Sequence, residues 1–206
     1  MHVHMRTLLL TLLLTVSPAL AGDWGDLTPP DDVPVHLPPD YDPENPAPLL
    51  VFLHGWAPIS PIWYDVLVPI QDDANAHGYL FAKPVGSQDI FGDYFWNATD
   101  ACCDMFGADP PHVSYLLALV QSIQAHYNVD PQRIHLLGQS NGGFMCHRMA
   151  CEAPETFASV VSLSGALWND QSMCQPSEPI HVLNIHGTLD PIIFWLGGYL
   201  LPNLNP

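Results

Sequence analysis

The stretch around Ser140 constrains the fold of this chain more than any other part of the sequence. A short apolar run, Ile134–Leu137, leads directly into the letters Gly-Gln-Ser-Asn-Gly, and a helix is predicted over Asn141–Cys151. A strand that turns directly into a helix strains the residue at the turn, because neighbouring Cβ atoms crowd there. Glycine at positions 138 and 142 would remove that crowding. The pattern therefore predicts a strand, a tight turn and a helix, with the helix N-terminus favouring negative charge beside Ser140.

The remaining sequence alternates predicted strands and helices with short connections. Further strands are predicted at Leu49–Leu53, Tyr79–Ala82, Ser159–Leu163 and Ile180–Ile185, and helices at Ile62–His77 and from Val113 to Tyr127. Buried strands that alternate with helices are typical of a mainly parallel sheet with helices on both faces. We therefore expect an α/β fold over residues 48–206. Residues 22–47 are rich in proline and aspartate and contain one strand candidate, Val33–Leu37.

The first 21 residues predict a secretory signal peptide. A basic residue, Arg6, precedes the apolar run Leu8–Val16, and Ala19-Leu20-Ala21 provides a cleavage signal of small residues. An uncleaved N-terminal anchor is the alternative. No later stretch is long and apolar enough to cross a bilayer. We therefore expect a secreted, extracellular protein without a membrane partner.

Charge excludes a second class of partner. The chain carries 21 acidic and four basic side chains, which gives a formal net charge of −17 at pH 7. Such a surface repels nucleic acid and anionic membranes, so neither is expected as a partner. Charge and composition leave the oligomeric state open.

Cysteine usage agrees with export. The five cysteines are Cys102, Cys103, Cys146, Cys151 and Cys174. They show neither CxxC spacing nor a histidine at a zinc-finger distance, which favours disulfides over a zinc or redox site. No metal is expected. We predict that one of the two adjacent cysteines, Cys102 or Cys103, bonds to Cys146 or Cys151, and an odd number leaves at least one thiol free.

Three positions complete a candidate active site around the candidate nucleophile Ser140. The loop after the strand Leu49–Leu53 begins His54-Gly55-Trp56, and we expect the backbone N–H groups of Trp56 and Asn141 to bind a developing oxyanion. His54 itself is expected to be a structural histidine that holds this loop. Asp190 follows the strand Ile180–Ile185 and is the candidate acid that would orient a histidine base.

The acid has two candidates, and every histidine of the sequence precedes Asp190. Asp170, beyond the preceding strand, is the weaker candidate for the acid. The last histidine of the sequence, His186, precedes Asp190. A serine hydroxyl is a weak nucleophile without an adjacent base.

Several motifs resemble the secreted polyhydroxybutyrate depolymerase and feruloyl esterase family of α/β hydrolases. They are Asp130-Pro131-Gln132-Arg133-Ile134, Gly138-Gln139-Ser140-Asn141-Gly142-Gly143, His147-Arg148-Met149-Ala150-Cys151, His186-Gly187-Thr188-Leu189-Asp190 and Trp96-Asn97-Ala98. The resemblance implies an α/β-hydrolase fold and a serine esterase without a cofactor. Its substrates would be esters of hydroxyalkanoate polymers, or feruloyl or acetyl esters of plant cell walls. It also implies Ser140 as nucleophile and Asp190 as triad acid.

The resemblance also implies a triad histidine several tens of residues after the acid, and no histidine follows Asp190 in this sequence. We therefore expect a chain truncated before the last strand and helix of the fold, with weak activity or none. A peptidase or lipase on the same scaffold is one alternative, although the lack of a long apolar lid segment disfavours a lipase. A non-catalytic binding protein derived from a hydrolase is the other.

Overall fold

The computed structural model describes residues 23–56 and 69–197. The predicted signal peptide and the first part of the predicted helix Ile62–His77 lie outside the described residues. The strands are β1 Val35–His36, β2 Ala47–Leu53, β3 Leu80–Ala82, β4 Ser87–Gln88, β5 Tyr94–Phe95, β6 Val129–Gln139, β7 Ser159–Leu163 and β8 His181–Ile185. The α-helices are α1 Ile70–Ala76, α2 His112–His126 and α3 Asn141–Glu152, and short 3-10 turns cover Pro30–Asp32, Pro154–Thr156 and Gln171–Met173.

Six strands form one sheet in the order β1-β3-β2-β6-β7-β8, and β4 pairs with β5 in a separate two-stranded sheet. Strand β1 is antiparallel to β3, whereas the other neighbouring strands of the large sheet run parallel. The mainly parallel sheet that the sequence predicted is confirmed. Because parallel strands end at the same edge, the segments that begin at His54, Ser140 and His186 all leave the sheet on one side.

The alternation of side chains along β2 places helices on both faces of the sheet. Leu49, Val51 and Leu53 pack in the main core with apolar side chains of α2 and α3. Leu50 and Phe52 point to the opposite face, where a second cluster includes side chains of β3 and α1. This two-sided burial explains why β2 reads as a continuous apolar run and not as an alternating one.

Strand β8 lies at the edge of the described sheet, beside β7. Its apolar side chains Val182, Leu183 and Ile185 are 47–54% exposed, whereas Val160 of β7 is completely buried. The carboxyl end of β8 therefore carries its loop on a strand that receives little cover from the described residues. None of the helices in the described ranges has the length and apolarity needed to span a membrane.

Candidate active site

Ser140 occupies a strained turn between β6 and α3. Its backbone adopts φ 52° and ψ −120°, which is rare for a residue with a side chain. Two hydrogen bonds hold it: its N–H donates to the Leu163 carbonyl at 2.7 Å, and its own carbonyl accepts from the Phe144 N–H at 3.0 Å. Strain of this kind costs about 1–3 kcal/mol and persists only where the surroundings enforce it. The strand, turn and helix predicted around Ser140 are therefore present.

The two glycines of the turn are required by contacts with backbone atoms. A Cβ at Gly138 would lie 2.1 Å from the Gly142 carbonyl oxygen, and a Cβ at Gly142 would lie 2.2 Å from the Leu53 carbonyl oxygen. The second contact shows that the N-terminus of α3 packs directly against the end of β2. The segment His54-Gly55-Trp56 consequently starts beside Ser140.

The side chain of Asn141 forms a clamp that sequence reasoning missed. It is completely buried, its Oδ1 accepts from the Trp96 N–H at 2.6 Å, and its Nδ2 donates to the Trp96 carbonyl at 2.9 Å. The indole Nε1–H of Trp96 donates in turn to the His54 carbonyl at 3.1 Å. One tryptophan thus connects the start of α3 with the end of β2. The only sequence signal was the polar residue directly after Ser140.

His54 is buried, and both of its ring nitrogens take part in hydrogen bonds. Nδ1 lies 2.6 Å from the Gly55 carbonyl oxygen, and Nε2 accepts from the Gly86 N–H at 3.0 Å. Burial lowers the pKa of His54 to about 4, the Gly55 hydrogen bond opposes this shift, and the charge of Lys83 adds to it. A neutral imidazole with both nitrogens occupied fits the structural role expected for this residue.

His112, the first residue of α2, is a second buried histidine of the same kind. Its Nδ1 accepts from the Asn97 N–H at 2.7 Å, and its Nε2 lies 3.1 Å from Ser87 Oγ. Burial lowers its pKa to about 3, the carboxylate of Asp26 opposes the shift, and the charges of Arg148 and His54 add to it. His112 therefore supports the segment after Trp96 and is not available for proton transfer at the surface.

The two expected oxyanion donors both lie at this edge of the sheet. Asn141 is the first residue of α3, where a backbone N–H has no carbonyl partner within the helix. Trp56 follows the His54-Gly55 pair, and its side chain is 40% exposed. N–H groups at a helix N-terminus favour a negative charge, because the helix dipole points its positive end there.

Asp190 lies in a compact loop after β8. Its Oδ1 accepts from the N–H groups of Ile192 at 2.9 Å and Ile193 at 3.0 Å, and its Oδ2 lies 3.6 Å from His186 Nε2. These two backbone hydrogen bonds are the main reason that the pKa of Asp190 lies below its usual value, and the Ser164 hydroxyl and His186 contribute less. The carboxylate is therefore held ionised, and strand β7 lies between the strand that carries its loop and the strand that carries Ser140.

His186 and Asp170, the other candidates, form hydrogen bonds within their own loops. The Nε2 of His186 lies 2.7 Å from the Ile193 carbonyl oxygen, which closes the loop that holds Asp190. The carboxylate of Asp170 accepts from the Ser172 N–H at 2.9 Å and caps the 3-10 turn Gln171–Met173. Hydrogen bonds from the hydroxyl and the N–H of Ser172 lower the pKa of Asp170. Asp170 is thus committed to its own turn.

The predicted disulfide pairing is wrong. Cys102 bonds to its neighbour Cys103, and Cys151 bonds to Cys174 across Cα atoms 5.1 Å apart, while Cys146 is a buried free thiol. Cys174 reaches α3 because the segment after β7 returns to the C-terminal end of that helix. Cys102 is instead tied to Thr99 by two backbone hydrogen bonds of 3.1 Å, which keep its loop local.

Loops at the edge that carries Ser140 also expose apolar side chains. After β3 the hairpin of β4 and β5 exposes Phe91, whose ring lies 5.4 Å from that of Phe106. After β8 the loop exposes Phe194 and Trp195, each about half accessible. Among the described residues, no group of three or more histidine, cysteine, aspartate or glutamate side chains could hold a metal ion.

Comparison with known proteins identifies relatives of this chain. The family model called Esterase matches residues 29–186. Feruloyl esterase B of Piromyces equi is 28% identical over 167 residues, which cover 80% of this chain and 30% of that protein. Feruloyl esterase C of Emericella nidulans is 30% identical over 172 residues, which cover 81% of this chain and 57% of that protein. Poly(3-hydroxybutyrate) depolymerase of Ralstonia pickettii is 27% identical over 89 residues, which cover 42% of this chain and 18% of that protein.

Among solved structures, the crystal structure of esterase PE8 superimposes with a TM-score of 0.59 at 19% identity and covers 83% of this chain and 79% of that one. A thermostable esterase superimposes with a TM-score of 0.52 at 22% identity and covers 79% of this chain and 44% of that one. At such identities the likeness concerns the fold. The chain spans between about a third and just over half of the length of the two feruloyl esterases.

Proposed function

The chain belongs to the Esterase family and has the α/β-hydrolase fold, and from this premise we propose that it is a secreted serine esterase that hydrolyses carboxylic esters through an acyl-enzyme on Ser140. The observation that carries the proposal is the backbone of Ser140, forced to positive φ at the N-terminus of α3 between two glycines that admit no side chain. This geometry presents a hydroxyl on a rigid turn where negative charge is stabilised.

The proposed reaction has two steps. The Ser140 Oγ attacks the ester carbonyl carbon, and the backbone N–H groups of Trp56 and Asn141 bind the oxyanion that forms. Loss of the alcohol leaves an acyl-enzyme, which water hydrolyses to the acid and free Ser140. Asp190 is the proposed triad acid, since its Oδ1 is fixed by backbone N–H groups and its Oδ2 can accept a hydrogen bond from a base.

We assign the base to none of the three histidines described near this edge. Both ring nitrogens of His54 and of His112 are already in hydrogen bonds, and burial lowers the pKa of each. The Nε2 of His186 lies against the Ile193 carbonyl. Because these ring nitrogens already form hydrogen bonds, they favour a second candidate function, a non-catalytic protein that binds ester polymers. This alternative predicts binding without turnover.

The proposed substrates are hydroxyalkanoate polyesters or feruloyl and acetyl esters of plant cell walls. Similarity to feruloyl esterases and to a poly(3-hydroxybutyrate) depolymerase supports this range. Exposed aromatic side chains such as Phe91 and Trp195 offer an apolar surface to such ligands. The disulfide Cys151–Cys174 supports the proposed secretion, because disulfides persist in oxidising compartments. The net charge of −17 disfavours nucleic acid and anionic membranes as partners.

The test uses covalent labelling and turnover of the same preparation. A fluorophosphonate probe should modify Ser140, as read by peptide mass spectrometry. Ser140→Ala should abolish labelling and, in a preparation that turns over p-nitrophenyl esters at an ordinary enzyme rate, lower kcat by at least ~10³-fold. Ser114→Ala, at an exposed position of α2, is the matched control and should leave both unchanged. Labelling of another serine, with Ser140 unmodified, would contradict the proposal.

A substrate panel then separates the candidates. Turnover of feruloyl esters, acetyl esters and hydroxybutyrate oligomers is compared at equal enzyme concentration. Adsorption to polyester particles without turnover or labelling would support the non-catalytic alternative.

A further inference from the structure

His54 lies directly before the peptide that carries one of the two proposed oxyanion donors. Its ring is completely buried, with Nε2 accepting from the Gly86 N–H at 3.0 Å. A neutral imidazole carries one proton, so with Nε2 as acceptor the proton is on Nδ1. The short contact of 2.6 Å is therefore an Nδ1–H donating to the Gly55 carbonyl oxygen.

This hydrogen bond fixes the orientation of the Trp56 N–H as well as that of the Gly55 carbonyl. The Gly55 C=O and the Trp56 N–H belong to one planar trans peptide unit, so they point in opposite directions. When the imidazole holds the carbonyl toward the interior, the Trp56 N–H is turned away from it. Rotation of the Gly55–Trp56 peptide would redirect the N–H, and it would break the hydrogen bond to His54.

The imidazole is itself anchored by rigid neighbours. The Gly86 backbone packs so closely that a Cβ there would lie 2.1 Å from the Phe95 carbonyl oxygen, so its N–H has little room to move. On the other side, Trp96 donates its indole N–H to the His54 carbonyl while the Asn141 amide holds the Trp96 backbone. The segments that carry the two proposed donors therefore share Trp96.

Resting on the proposed function, we propose that His54 is a positioning residue that orients the Trp56 N–H toward the oxyanion through the Gly55 carbonyl. Its role is distinct from that of a base, because neither ring nitrogen faces a reacting atom. The shared contact with Trp96 sets the spacing between this N–H and that of Asn141. The prediction is specific to Nδ1, because this is the nitrogen that bonds to Gly55.

Two substitutions separate the two nitrogens. In His54→Asn, the side-chain amide nitrogen can occupy the place of Nδ1 and donate to the Gly55 carbonyl. In His54→Gln, the longer amide can accept from the Gly86 N–H in the place of Nε2, but the donor to Gly55 is lost. We expect H54Q to lower kcat on p-nitrophenyl acetate by about 10²-fold with KM changed less than about threefold, as for loss of one oxyanion donor. H54N should retain kcat within about fivefold of the wild type.

The rate constant for Ser140 phosphorylation by a fluorophosphonate provides a second readout and should follow the same order. His181→Gln, the same chemical change at an exposed position at the start of β8, is the control and should leave both readouts unchanged. Circular dichroism establishes that each variant is folded at the assay temperature. If H54Q does not fold, H54N decides alone: a loss of more than tenfold in a folded H54N overturns the role of His54.

Other outcomes distinguish a failure of the proposed role of His54 from a failure of the proposed function. Equal rate constants for the wild type and H54Q, with the label on Ser140, would overturn the role of His54 and leave the nucleophile intact. Equal losses in folded H54N and H54Q would likewise overturn a role specific to Nδ1. Labelling of the wild type at a serine other than Ser140 would instead contradict the proposed function.

Discussion

Two buried histidines, His54 and His112, should make the protein lose stability between pH 7 and pH 5. His54 and His112 remain neutral in the folded protein because burial lowers their pKa values, to about 4 and about 3. In the unfolded chain each returns to its ordinary pKa of about 6.5 and binds a proton when the pH falls below that value. Unfolding therefore takes up protons in this window, and the free energy of unfolding decreases as the pH falls.

The size of the effect follows from the distance to the unfolded pKa. A pH of 5 lies about 1.5 units below the pKa of each unfolded histidine. This difference lowers the free energy of unfolding by about 2 kcal/mol per histidine. The two together give about 4 kcal/mol, a large part of the 5–15 kcal/mol typical of folded domains. Their stabilising contribution is complete above pH 6.5 and is lost as the pH falls toward about 4 and 3. Carboxylates with lowered pKa values, such as Asp190, act below this window.

The assay compares the wild type with His112→Gln by urea unfolding at pH 7 and pH 5. The variant is expected to be less stable at pH 7, because the hydrogen bonds to Asn97 and Ser87 are altered. Between the two pH values, however, it should lose about 2 kcal/mol less than the wild type, since one titrating group is gone. On acidification the net charge becomes less negative than −17 in both proteins. The effect of this change on stability therefore cancels in the comparison. Equal losses in the two proteins would refute the reasoning.

Two further predictions concern the turn and the cysteines. Gly142→Ala should lower the unfolding free energy by at least ~2 kcal/mol and the thermal midpoint by about 4–8 °C, because the new Cβ meets a carbonyl oxygen. Gly187→Ala, where a Cβ would meet its nearest atom at 3.8 Å, should stay within about 0.5 kcal/mol, and equal effects would contradict the contact. Peptide mapping without reductant should link Cys151 to Cys174, and Cys174→Ala should cost about 3 kcal/mol for a sequence separation of 23 residues. Alkylation of Cys174 in the folded, unreduced protein would contradict that pairing.

The sequence predicted the parts of the molecule that depend on local patterns. Continuous apolar runs indicated the central strands, and the glycines around Ser140 indicated the turn, because both follow from short-range sterics and from burial on two faces. Strand β7 was predicted with its observed bounds, Ser159–Leu163. The expected structural role of His54 agrees with its burial and its two hydrogen bonds.

The disulfides and the Asn141 clamp could not be predicted in the same way. Pairing of Cys151 with Cys174 depends on the path of the segment after β7, which has no periodicity to reveal it. The hydrogen bonds from Asn141 to Trp96 span 45 residues, and a side chain that bonds to backbone groups places no constraint on its partner's identity. Contacts of this kind become visible only once the chain is folded.

The backbone conformation of Ser140 and its hydrogen bond to the neighbouring strand are repeated by a second serine, one strand further along the sheet. Ser140, after β6, has φ 52° and donates its N–H to Leu163, the last residue of β7. Ser164, after β7, has φ 53° and donates its N–H to Ile185, the last residue of β8, at 2.8 Å. Each strained serine is therefore held by the end of the next strand.

This repetition connects the proposed acid with the proposed nucleophile. The hydroxyl of Ser164 contributes to the lowered pKa of Asp190, so the loop after β8 faces the end of β7, and the hydrogen bond from the Ser164 N–H to the Ile185 carbonyl holds the two strand ends together. The end of β7 in turn holds Ser140 through Leu163. Because a residue at positive φ keeps its conformation only while its neighbours enforce it, a displacement of the Asp190 loop would act on Ser140 through Ser164 and β7. The positions of the two groups are thus set jointly by the ends of three adjacent strands.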